Sequence, residues 1–193
     1  MQRLFSVIVA VALLGIVPAR AAQTLAEQFP QVADTSFVTA KGDRTMRLSV
    51  EIEASPTAVW KALSTAEGWT SWGVKTAFVD FREGGVIETN YKAGAAQGDR
   101  DNIQNQIIAF VPERLLVFRN VQAPRSFQNA ETFAHIVTSI ALEPAAGGKT
   151  RLTISGAGYG QGAAFDALYG QFAWGNSYSL MELKKALEAG AGE

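Results

Sequence analysis

Val50-Glu51-Ile52-Glu53-Ala54-Ser55-Pro56-Thr57-Ala58-Val59-Trp60-Lys61-Ala62-Leu63 changes its period halfway along. Over 47–53, Leu48, Val50 and Ile52 alternate with Arg47, Ser49, Glu51 and Glu53, the pattern of a strand with one buried face. At Ser55-Pro56 the alternation stops. Ser55 can accept a hydrogen bond from the free N–H groups of a first helical turn, and Pro56 falls where its missing N–H costs nothing. Val59, Trp60 and Leu63 then recur at helical spacing, which predicts a helix over 56–64 with that side buried. Thr65 caps a second short helix that ends near Gly68 or runs through Trp69 to Trp72. Two helices in quick succession after a first strand are an uncommon opening.

Downstream, strands are expected at 75–81, 86–91, 102–110, 115–121, 135–143 and 151–156. Gly84-Gly85 and Gly147-Gly148 fit tight connections. Most connections are too short for parallel crossovers, so the sheet reads as an antiparallel meander. The longer segments 92–101 and 122–134 suit the rim of a cavity, where variable chemistry is commonly placed. A last helix is expected over 163–189, with Phe165, Leu168, Tyr169, Phe172, Leu180, Leu183 and Leu187 on one stripe. Asn176 and Ser179 interrupt that stripe. Gly170 and Gly175 each cost the helix up to about 1 kcal/mol relative to Ala. Such local inconsistency marks a space left for something else. Trp174, Tyr178 and Met181 fall on the opposite side, to be covered by the lead-in segment or by a second subunit in a homodimer.

The chain has 193 residues, no Cys and one His, which fits one domain and excludes disulfide scaffolds, Cys-based zinc sites and Cys nucleophiles. At 48% hydrophobic and 18% charged it can bury a core. Residues 1–21 read as a secretory signal peptide: Arg3, an apolar run over 4–17, and Ala19-Arg20-Ala21 as cleavage site. The run is short for a bilayer span of ~20 residues, so no stable membrane span is expected after processing. A periplasmic or secreted product cut after Ala21 would lose Arg3 and Arg20, leaving 15 basic against 18 acidic side chains. That balance gives no electrostatic case for nucleic acid. The expected division is leader 1–21, lead-in 22–43 with one strand around 36–40, domain 44–189 and tail 190–193.

The opening quoted above, followed by Thr65-Ala66-Glu67-Gly68-Trp69 and Asp80-Phe81-Arg82-Glu83-Gly84-Gly85, resembles the START-like superfamily, also called the polyketide cyclase and lipid-transport group. Pro112-Glu113-Arg114-Leu115-Leu116 resembles its turn before a central strand, and Gly148-Lys149-Thr150-Arg151-Leu152-Thr153 its last strand entry. The branch it looks most like is the bacterial homologues of the heat-shock-protein ATPase activator. The resemblance implies an α+β helix-grip fold, a curved antiparallel sheet wrapped around a long carboxy-terminal helix. It also implies ligands held between sheet and helix.

Candidate lining residues are Phe165, Tyr169, Phe172, Asn176 and Ser179. The Asn176 amide is the sharpest, because a buried amide must find partners. Arg119 and Arg125 could each grip a carboxylate or phosphate. Strand parity sends Arg119 and Asn120 to opposite faces. Weak acid–base candidates are Tyr159, His135, Asp80 and Glu88. Glu88 and Asn90 share a face that reads as the solvent side. Asp99 and Asp101 have calcium-loop spacing without the later bidentate acid, and a lone His weakens any transition-metal site, so no metal and no cofactor are expected. Gly156-Ala157-Gly158-Tyr159-Gly160-Gln161-Gly162 lacks the third glycine of a dinucleotide loop and reads as a crossing into the helix, with Tyr159 at a cavity mouth. The expected partner is a small apolar or amphipathic molecule. A cyclase- or dehydratase-like enzyme and an interaction module with a self-filled cavity are the alternatives.

Overall fold

The computed structural model describes residues 23–190. The leader expected at 1–21 and the tail beyond Gly190 lie outside them. The chain opens with α1 (Leu25–Gln28), then β1 (Ala33–Asp34) and β2 (Phe37–Val38), which both pair antiparallel with β3 (Arg44–Ile52). One strand was expected in this lead-in. Two form because Ser36 breaks the ladder: its Oγ accepts the Arg47 N–H at 2.9 Å, while its own N–H donates to Asp34 Oδ1 at 2.9 Å.

α2 (Pro56–Ser64) and α3 (Ala66–Trp72) follow, the second at its longer expected extent. Ser55 Oγ accepts from Ala58 N at 3.3 Å and Thr65 Oγ1 from Gly68 N at 3.0 Å, so both caps act as read. The indole N–H groups of Trp69 and Trp72 donate to Leu63 O (2.8 Å) and Ala62 O (3.1 Å), folding α3 back on α2. Gly68 permits this approach. A Cβ there would lie 2.5 Å from Lys61 O and 2.7 Å from Ala62 Cα.

The meander continues through β4 (Thr76–Val79), β5 (Val86–Asn90), β6 (Ile103–Val111) and β7 (Leu115–Gln122). After α4 (Ala130–Ala134) come β8 (Val137–Pro144), β9 (Thr150–Tyr159) and α5 (Ala163–Gly190). The described residues form one nine-stranded antiparallel sheet of order β1-β3-β9-β8-β7-β6-β5-β4, with β2 also on β3. Register shifts between β6 and β7 help to curve it. α5 packs on β3 and β9, and the fold is the helix grip.

Three local expectations are corrected. Segment 122–134 carries α4, and His135 is that helix's C-cap, not the first residue of a strand: its N–H bonds Thr132 O at 3.2 Å. β9 extends three residues past Gly156, because β3 and β8 both pair with it and hold glycines that alone favour a loop. On α5 the fully buried residues are Leu168, Ala173, Ser177, Leu180 and Leu183. Ala173 and Ser177 escape a hydrophobic stripe, yet Ser177 is satisfied by donating to Ala173 O at 2.8 Å. The far side of α5 is met by the lead-in, where Gln28 Oε1 accepts from Trp174 Nε1 at 3.1 Å and the Phe29 ring lies edge-on to Trp174.

Gly68→Ala is expected to destabilise the protein by about 1–3 kcal/mol through overpacking against the α2 backbone. Urea unfolding should show a lower midpoint with an unchanged slope.

Candidate ligand-binding cavity

α5 does not cover the whole concave face of the sheet. Between them lies a cavity of about 410 Å³, within the size range of small-molecule sites. Leu63, Trp69, Trp72 and Val74 close one side, and Phe127 and Phe133 another. Phe118, Ile140, Leu152 and Ile154 form its floor, and α5 contributes Phe172, Gly175, Asn176, Ser179 and Leu183. The lining is mostly apolar, a surface that is favourably withdrawn from water. Phe127, Phe133 and Phe172 pack together, with centroids 4.7 Å apart for Phe133 and Phe172 and 5.6 Å for Phe127 and Phe133.

One row of the sheet is different. Met46 on β3 faces Gly156 on β9, Gly156 faces Thr138 on β8, and Thr138 faces Phe118 on β7. Directly opposite residues project to the same face, so the row lies on the concave side: Thr138 and Phe118 line the cavity, while Gly156 lies under Tyr159 and Met46 under Asn176. Tyr159 folds back over Gly156: a Cβ at Gly156 would stand 3.0 Å from its ring and 3.1 Å from its hydroxyl. Tyr159 is 1% exposed and lines the cavity, and its hydroxyl, which makes no side-chain hydrogen bond to another described residue, is not sealed off but opens onto that space. Burial pushes its phenol pKa well up, with Tyr169 adding and Arg44 opposing, so the group stays a protonated donor. Above Met46, Asn176 Nδ2 finds only that residue's Sδ, at 3.5 Å. Sulfur is a weak acceptor. Thr138 also lines the cavity.

Phe172, Asn176, Ser179 and Tyr159 therefore meet at one cavity. Phe165 and Tyr169 lie outside it. Phe165 packs against Gly160, and Tyr169 sits edge-on to Tyr159 at 5.1 Å beneath the Arg44 guanidinium. Arg44 Nη2 is 2.8 Å from Asp166 Oδ1, an ion pair that is not aligned as a hydrogen bond. Arg119 faces outward and donates to Gln106 Oε1 at 3.3 Å, whereas Asn120 is buried and donates to Gln104 O and Gln122 O. Tyr159 was expected at a mouth and instead lies deep, because β9 carries it inside. Trp69, Trp72, Thr138, Phe127 and Phe133 are among the further lining residues, and only their aromatic or polar character near segment ends signalled them.

The other acid–base candidates are apart. Asp80 is exposed and paired with Arg82 (Nη2 to Oδ2, 2.9 Å), and His135 is exposed beside Phe165. Glu88 is buried, on a face expected to be solvated. Loop 92–101 folds over it: the Glu88 carboxylate accepts from Gly98 N at 2.6 Å and from Asn102 Nδ2, and Asn90 Nδ2 donates to Asn102 Oδ1 at 2.7 Å. Asp101 is gripped by Arg125 through Nη2 (2.6 Å) and Nε (3.0 Å), which ties the two rim segments together.

A curved sheet gripping one helix around a mostly apolar cavity defines a START-like protein. The chain belongs to the family described as polyketide cyclase / dehydrase and lipid transport, which matches residues 43–188. No curated protein matches the sequence. Among solved structures, the chain is similar to the Aha1 dimer from Colwellia psychrerythraea at 19% identity and TM-score 0.57, covering 76% of this chain and 97% of that one. CalU16 from Micromonospora echinospora is similar at 19% identity and TM-score 0.54 (79% and 80% covered). A Rhodobacter sphaeroides protein gives 15% identity and TM-score 0.59 (83% and 97%). At such identities these likenesses carry the fold and nothing finer.

Tyr159→Phe is expected to leave the stability of the ligand-free protein unchanged or up to about 1 kcal/mol higher, because the lost hydroxyl leaves no protein partner behind. A larger loss in thermal unfolding would reveal a hidden partner. The Asp101 carboxyl, lowered to about 2 by its hydrogen bonds to Arg125, should show that midpoint in an NMR titration. Because the folded pKa is depressed, the ion pair stabilises fully above the ordinary value of about 3.9 and its contribution disappears as pH falls through about 2.

Proposed function

We propose that the chain binds or carries a small hydrophobic or amphipathic molecule in the cavity between sheet and α5, in the periplasm or outside the cell after loss of a leader near Ala21. The observation that carries this reading is the space of about 410 Å³ left by a well-packed fold and lined by aromatic and aliphatic side chains with a few polar atoms. Family membership supports it, since lipid transport is one of the activities in the family's description. A cyclase- or dehydratase-like activity has less support: of the four acid–base candidates, only Tyr159 lines the cavity. The unfilled volume also counts against an interaction module that plugs its own cavity.

Gly175 supplies a clean test. It lines the cavity on α5, and a Cβ there would meet nothing within 4 Å. Gly175→Leu should fill the space, improve helix propensity by about 1 kcal/mol and raise the unfolding midpoint. Native mass spectrometry of the wild-type chain recovered from the periplasm should show a stoichiometric small-molecule adduct, and the variant should lack it. Bare wild-type protein, with no uptake from lipid extracts, would count against the reading. The same spectra report whether the chain pairs with a second copy, as the Aha1 protein from Colwellia does.

A further inference from the structure

We infer that the cavity selects an uncharged ligand that presents a hydrogen-bond acceptor, such as a ketone, ester or hydroxyl oxygen, to the end lined by Tyr159, Asn176 and Thr138, with its apolar body lying toward Trp69 and Trp72. This inference rests on the ligand-binding reading above and names the chemistry of the ligand.

Three observations carry it. The first is position. The Tyr159 hydroxyl lies above Gly156 and the Asn176 amide above Met46, and these two residues are register partners. Thr138 is the next residue in the same row. Three potential donors thus lie close together, while the walls at Leu63, Trp69, Trp72 and Val74 offer no accepting or donating side-chain atom free of α2, since both indole N–H groups are spent on α2 carbonyls; Thr89 on β5 and Asn105 on β6 are further polar groups in the lining.

The second is satisfaction. Tyr159 Oη has no partner among the described residues, and Asn176 Nδ2 has only a thioether. Neither is a sealed orphan, since the buried side-chain atoms without a partner among the described residues are Thr39 Oγ1 and Arg44 Nη2 and Asn176 is half-buried, so both stay open to an acceptor atom on a ligand. Both groups can donate: a phenol held protonated by burial keeps its O–H, and the primary amide donates through Nδ2.

The third is charge. Among the described residues lining the cavity there is no Lys, Arg or His, and one acid, Glu182. Arg44, which stands near Tyr159, is occupied by Asp166 and by the face of Tyr169. A carboxylate or phosphate brought here would lose its hydration and find no cation, and an unpaired buried charge is strongly disfavoured. Neutral oxygen pays no such penalty. The site accordingly discriminates ligands of equal shape by charge, as polar pockets generally do.

The test uses three probes of one shape: 2-ethylnaphthalene, 2-acetylnaphthalene and 2-naphthoate. Each is titrated at pH 7.5 into the chain lacking residues 1–21, with the indole N–H signals of Trp69 and Trp72 as NMR reporters. The ketone should bind at least about ten-fold more tightly than the carboxylate. Tyr159→Phe should weaken the ketone about five-fold and leave the hydrocarbon within about two-fold. Thr138→Val serves as a second variant should Tyr159→Phe perturb the fold. Equal or tighter carboxylate binding overturns the inference, as does a ketone that binds no better than the hydrocarbon and ignores both substitutions. In either case the hydrocarbon still reports an open cavity and the ligand-binding reading stands. Binding by none of the three overturns that reading and this inference together.

Discussion

A single helix is too narrow for this sheet. Eight of the nine strands lie on one hydrogen-bonded path, and at ~4.8 Å between neighbours that path is about 35 Å wide, against about 10 Å for a helix with its side chains. The sheet must curl, and even when curled it presents more apolar face than α5 can cover. α5 rests on β3 and β9. The remaining concave face is roofed by smaller pieces: α3 with its two tryptophans, α4 with Phe133, and loop residue Phe127. Pieces of different size and origin do not tile a surface as continuously as one long helix. The cavity is the part they leave open, so its existence follows from the width of the sheet and not from a dedicated set of binding residues.

The deep end of that cavity depends on one glycine. In a central strand a glycine normally weakens the ladder and offers nothing to pack. Gly156 is paired on both sides, to Met46 and to Thr138, and the room it leaves is filled by the Tyr159 ring from three residues further along the same strand. The strand bends around its own side chain. Any larger residue at 156 would press on the ring and hydroxyl, so the inward placement of the phenol is set by the backbone as much as by the tyrosine.

The opening quoted at the start was legible because every local signal agreed: alternation, a serine cap, a proline at the first helical position, then helical spacing. The long helix was legible from its period. Failures came where side-chain type and environment part company. Glu88 reads as a solvent-facing acid by composition and alternation, yet loop 92–101 folds over it and satisfies its carboxylate. Nothing local to β5 records what a loop ten residues away will do. Gly156 to Tyr159 reads as a loop because glycine is judged on its own conformational freedom, whereas pairing with two neighbouring strands decides the matter. Of the lining, α5 residues Phe172, Asn176 and Ser179 could be named from the helix stripe. Trp69, Phe127 and Phe133 could not, because their role requires knowing which loops meet over the helix. Arg119 shows the limit of chemical reasoning without geometry: parity correctly separated it from Asn120, but parity alone does not say which of the two faces the core.

The two rim segments are held by different physics. Loop 92–101 is anchored by the buried carboxylate of Glu88 and by the amides of Asn90 and Asn102, so displacing it strands charged and polar groups away from their partners, a cost of several kcal/mol. The segment after β7 is tied to that loop as far as Arg125, through the Asp101 ion pair and an Arg100 bond to Ala123 O at 2.7 Å. Exposed pairs of this kind hold little. Beyond Arg125, α4 packs against both β7 and α5, the latter through the contacts of Phe127 and Phe133 with Phe172. Those contacts are apolar and unspecific in direction, and an apolar ligand in the cavity offers the same rings an equivalent surface. An apolar occupant can therefore stand in for the Phe172 contacts of α4, though not for its packing on β7, while moving loop 92–101 breaks hydrogen bonds that nothing replaces.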